Sequence, residues 1–121
     1  MQVEKPEDLS KRTKRFALGV IKFVSELPNT PVSRTLGGQL LDAGTSVGAN
    51  YREGKRARST AEFAAKLGIS QGEAEESAYW FELFMESGIS NTAVAQALHK
   101  EANELQAILG ACIVSARRRN N

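Results

Sequence analysis

A chain of 121 residues, 41% hydrophobic and 25% charged, can bury one core without staples and is too apolar to stay disordered. One domain spanning residues 1–121 is expected. Its single cysteine, Cys112, excludes an intramolecular disulfide and fits a reducing compartment. The net charge of +2 is too small to imply a nucleic-acid partner by its sum, so charge placement has to decide that question.

The first residues, Met1-Gln2-Val3-Glu4-Lys5-Pro6-Glu7-Asp8, lack the basic start and apolar run of a secretory signal. The first helix is expected to begin near Pro6, with Glu7 and Asp8 complementing its dipole. Leu9, Phe16, Val20, Phe23, Val24 and Leu27 form its apolar stripe. Pro28-Asn29-Thr30-Pro31 ends it, because each proline disfavours helix in the residue before it. A second helix, about residues 33–53, turns Leu36, Leu40, Ala43, Val47, Asn50 and Tyr51 inward and stops at Gly54. Gly37, Gly38, Gly44 and Gly48 lie inside it. Each interior glycine costs about 1 kcal/mol relative to alanine, so close approach of another helix is expected there.

Ser59, followed by Glu62, reads as a capping box opening a third helix that runs to about residue 87 and stops at Gly88. Phe63, Leu67, Ala74, Ala78 and Phe81 form its main stripe. Towards its end the sequence Tyr79-Trp80-Phe81-Glu82-Leu83-Phe84-Met85 is apolar on almost every side and needs cover all round. A subunit interface at Tyr79, Trp80, Leu83 and Phe84 is the reading, against a wide but purely internal stripe. The fourth helix, capped by Ser90 or Asn91, carries Val94, Leu98, Ala102, Leu105, Leu109, Cys112 and Ala116 to Arg117-Arg118-Arg119. Its apolar stretch 107–116 is far shorter than the roughly 20 residues that span a bilayer. No segment alternates like a strand. The expected fold is all-α, an up-down-up-down antiparallel four-helix bundle, in a cytoplasmic protein.

That topology brings three basic clusters to one end: Lys11, Arg12, Lys14 and Arg15; Arg52, Lys55, Arg56 and Arg58; Arg117, Arg118 and Arg119. They are most of the 16 basic residues. Glu73, Glu75, Glu76, Glu82 and Glu86 lie further along helix three, so the molecule should be electrically polar. A basic end suits RNA or DNA phosphates; the alternative is a solvated surface with internal pairs such as Arg58–Glu62. No aromatic-rich platform accompanies the positives, so phosphate and shape contacts are expected rather than base readout.

Catalytic and metal constellations are missing. His99 is the sole histidine, read as solvated, and zinc spacing is absent. Di-iron Glu-x-x-His pairs are absent too. Cys112 reads as a small core residue. An enzyme, a metal or a cofactor is not expected.

The run from Gln39 to Glu76 resembles the small four-helix bundle proteins encoded in intervening sequences of bacterial 23S ribosomal RNA genes. That family includes the accessory variability determinants of diversity-generating retroelements. The matching residues are Ser46-Val47, Asn50, Glu53-Gly54, Arg58-Ser59, Glu62-Phe63, Leu67, Ile69, Gly72 and the acidic Glu73, Glu75 and Glu76. They cover about a third of the chain closely, and helix layout covers the rest. Tyr51 departs from the pattern, which has a small or aliphatic residue there. The resemblance implies a homopentameric ring without an active site, with Asn50 and Glu53 as structural residues. Retroelement members engage nucleic acid and a reverse transcriptase through positive surfaces. Two roles follow as expectations: an oligomer binding RNA or DNA through the basic end, or an adaptor for a protein such as a polymerase.

Overall fold

The computed structural model describes residues 8–119, which form four helices. They are α1 (Leu9–Ser25), α2 (Pro31–Lys55), α3 (Thr60–Glu86) and α4 (Ala93–Arg119). No strand occurs among the described residues; the expected start near Pro6 and the acidic Glu4 and Glu7 lie outside them.

Local chemistry sets the helix ends. Asp8 caps α1, its side chain accepting from the Ser10 N–H at 2.9 Å. α2 begins two residues earlier than the apolar pattern indicates: Thr30 caps it, accepting from the Ser33 N–H, and Pro31 fills the first turn, where its missing N–H costs nothing. Ser59 caps α3, with the Glu62 N–H donating to its Oγ at 3.0 Å. Thr92, rather than Ser90 or Asn91, begins α4, because its side chain and carbonyl accept from the N–H groups of Ala95 and Gln96.

The two glycine stops divide. Gly88 adopts φ +82° just after α3, a left-handed conformation that side chains resist. Gly54 does not stop α2. It sits buried inside the last turn, where a Cβ would lie 2.7 Å from Leu67 Cδ1; its role is close approach to α3.

All four helices feed one core. Phe16, Val20 and Phe23 of α1 meet Leu40 and Val47 of α2, Leu67, Phe81 and Phe84 of α3, and Leu105 and Leu109 of α4. Phe23 packs edge-on against both Phe81 and Phe84, centroids 5.2 and 5.5 Å away, the arrangement that ring quadrupoles favour. Neighbouring helices touch in reversed residue order. Thr13 faces Gly48, Val20 faces Gly44, and Val24 and Leu27 face Gly37. Ser70 donates to the Val47 carbonyl at 2.6 Å, while Leu67 lies at Gly54. Across α3 and α4, Gln71 reaches the Gln106 carbonyl and Glu82 reaches His99.

The glycines of α2 separate by what they meet. At Gly44 a Cβ would lie 2.8 Å from Val20, and at Gly48 2.9 Å from the Thr13 hydroxyl, so α1 occupies the missing volume. Gly38 meets nothing within 4 Å, and helix packing within the chain does not explain it. Cys112 is half-buried against the core, as its stripe position indicates.

Candidate functional site

Three helix ends build the basic surface. The last turn of α2 carries Arg52 and Lys55, and the last turn of α4 carries Arg117, Arg118 and Arg119. In both places cations complement the negative end of the helix dipole, so part of this charge also serves the helices themselves.

The structure sorts the sequence-derived basic residues into separate surroundings. Lys55, Arg58 and Arg119 line one open groove of about 640 Å³, together with Tyr51, Phe63 and Ala116. Among the described residues no ion pair holds any of these three cations, and Arg58 makes none with Glu62. A second groove, of about 370 Å³, gathers Arg52, Lys55 and Arg56 beside Ser10 at the start of α1. Lys55 belongs to both. Lys11, Lys14, Arg117 and Arg118 are exposed and lie outside the linings of these two grooves.

Arg12 is paired within the chain. It lies on the seam between α1 and α4, where its Nε and Nη2 donate to Glu101 at 2.7 and 2.8 Å and Nη2 also donates to Glu104 at 2.9 Å. Its side chain is only 19% exposed. The hydrogen bond to Glu101 chiefly holds the guanidinium above its ordinary pKa, against burial, which lowers it. A cation already shared by two carboxylates has little left for an external phosphate. Arg15 lines the same seam with Arg12 and Glu101, apart from the larger groove.

Two half-buried rings stand among the cations where the sequence shows no aromatic platform. Tyr51 and Phe63 line the 640 Å³ groove, and Lys55 Nζ lies 5.9 Å from the Tyr51 ring centroid. Burial foremost, then Cys112 and Asp8, pushes the Tyr51 phenol above its ordinary value, so it stays neutral. One ring belongs to α2 and the other to α3, which is why neither reads as part of a platform in the sequence.

Away from this end the charge turns negative. Glu73 is pushed above the usual carboxylate range, first by burial and then by Glu76 and Asp42. His99 is not merely solvated: its Nε2 lies 3.2 Å from Glu82 across α3 and α4. Glu53 binds Lys66 at 2.8 Å, linking α2 to α3, and Asn50 donates to the Ser46 carbonyl within α2. No cluster of three or more His, Cys, Asp or Glu positioned to hold a metal occurs among the described residues. No helix among them is long and apolar enough to cross a membrane.

The expected interface residues also divide. Phe84 is fully buried within the chain, so it is removed from the interface set: its place on α3 points it at Phe23. Tyr79 is 52% exposed and lies against Trp80, centroids 5.2 Å apart. Trp80 and Leu83 are half-buried. On the exposed side of α3, Gly68 and Gly72 have open space where a Cβ would stand.

Known proteins agree with this architecture. A crystal structure from Bacteroides thetaiotaomicron VPI-5482, described as a protein with unknown function from the S23 ribosomal protein family, superposes with a TM-score of 0.82. The two share 29% identity over 88% of this chain and 98% of that one. No curated protein matches the chain. The profile of the 23S rRNA-intervening sequence proteins matches residues 7–111, and the chain belongs to that family.

Proposed function

We propose that this protein is a non-enzymatic, oligomeric binding protein that grips RNA or DNA phosphates with its basic end. One observation carries the reading: Lys55 at the end of α2, Arg58 in the α2–α3 connection and Arg119 at the end of α4 line a single open groove and have no ion-pair partner among the described residues. Unneutralised cations brought together at one place attract a polyanion and release its counterions on binding. The reversed order of helix contacts supports an up-down-up-down bundle with these termini at a common end.

A gel-shift titration at two salt concentrations tests the reading. Affinity should fall steeply with salt, and the triple variant Lys55→Ala, Arg58→Ala, Arg119→Ala should flatten the slope of log K against log salt by about 2–3. Absence of salt-dependent binding at low salt would end the proposal.

The oligomer is proposed as a homopentameric ring that uses the outer face of α3. Gly68 and Gly72 each cost about 1 kcal/mol in a helix, and no neighbour among the described residues fills their space. Tyr79 continues the same exposed side. Light scattering should give five times the mass of one chain, and Gly72→Leu should reduce it with helix content retained. An unchanged mass for Gly72→Leu would remove this face from the interface. If wild type scatters as a monomer, the face around Tyr79 and Trp80 instead favours the adaptor reading, in which a protein such as a reverse transcriptase docks there.

A further inference from the structure

We propose that the groove between the end of α2, the start of α3 and the end of α4 is a nucleotide-binding subsite for single-stranded nucleic acid, with a base lying against Tyr51 or Phe63 and the adjoining phosphates held by Lys55, Arg58 and Arg119. This rests on the basic-end reading and adds strand form and base contact to it.

A surface that only attracts phosphate needs charge and nothing more. Here a volume of about 640 Å³ combines three cations with two aromatic rings, within the range of sites that take small organic ligands. Both rings are half-buried, so the core anchors each while part of it remains open. The cations come from the end of α2, the α2–α3 connection and the end of α4, so the groove draws its charge from three separate stretches of chain.

Strand form follows from the rings. In a duplex the base faces are already stacked on their neighbours, whereas an unpaired strand can turn a base outward onto an aromatic face. Stacking uses the π-face that every base has, so the subsite should tolerate any sequence. Lys55 Nζ lies over the Tyr51 ring, 5.9 Å from its centroid; a base stacking on that face displaces the flexible lysine, which stays close enough to hold the adjoining phosphate.

Fluorescence anisotropy with three labelled probes of equal length tests this: a single-stranded oligonucleotide, the same phosphodiester chain without bases, and a blunt duplex. The single strand should bind tighter than the abasic chain. Tyr51→Leu and Phe63→Leu should each weaken the single strand about 5–10-fold and change the abasic chain by less than twofold. Tyr51→Phe keeps the ring and should bind as wild type, which separates loss of stacking from loss of fold; circular dichroism should show equal helix content throughout. Arg58→Ala should weaken both single-chain probes. Equal affinity for the single strand and the abasic chain overturns the subsite and leaves phosphate binding intact. So does a Tyr51→Leu effect of equal size on both, or a duplex bound as tightly as the single strand. Failure of all three probes to bind overturns the basic-end reading itself.

Discussion

Replacing Gly44 and Gly48 together by alanine is expected to destabilise the protein by up to about 4 kcal/mol, the balance of overpacking at two sites against better helix propensity. At Gly44 the new methyl would stand 2.8 and 2.9 Å from the two γ-carbons of Val20. Val20 is fully buried, and a branched side chain in a helix has essentially one rotamer, so it cannot swing aside. At Gly48 the obstruction is the buried Thr13 hydroxyl, 2.9 Å away. That hydroxyl donates to the Leu9 carbonyl at 2.6 Å, so rotating it away breaks a bond. The remaining response is for α1 to back off from α2. Urea titration should show a lower midpoint at similar slope. Gly38→Ala is the control: the position is exposed with nothing within 4 Å, and it should gain about 0.5–1 kcal/mol from propensity alone. If Gly44→Ala also stabilises, the close approach of α1 and α2 is wrong.

Arg12→Ala should cost about 1–3 kcal/mol, between the values for exposed and fully buried pairs. The guanidinium engages two carboxylates at 2.7–2.9 Å, and its removal leaves Glu101, 24% exposed, without its partner. α1 and α4 make the sparsest of the four helix seams, so little else there compensates. A fall in Tm of about 5–10 °C corresponds to that loss for a domain of this size. The same variant should change nucleic-acid affinity by less than twofold, whereas Arg58→Ala or Arg119→Ala should weaken binding with little effect on Tm. A large affinity loss with an unchanged Tm for Arg12→Ala would return Arg12 to the binding surface.

Much of the fold was legible because it is written at short range. Phe16, Val20 and Phe23 recur at helical spacing and are buried. Ser59 and Glu62 stand at the spacing of a cap and make it. Errors at the helix ends were also short-range: Thr92 lies one residue beyond Asn91, and a Ser-Asn-Thr run offers several side chains able to cap.

The site was less legible, because its partners are far apart along the chain. Arg12 and Glu101 are separated by 89 residues, and nothing near Arg12 marks it as neutralised while Lys55 is not. Tyr51 and Phe63 belong to different helices, and only packing puts both at one groove. Phe84 sits in an apolar run whose direction is set by Phe23 across the core. Periodicity, caps and prolines act within a turn or two of helix, so the sequence by itself determined four helices, the family and most of the apolar stripes. Val94, expected on the stripe of α4, is exposed at its first turn. Which cations remain open, which rings join them and which apolar side chains stay outside depend on contacts between helices, and only the tertiary structure decided those.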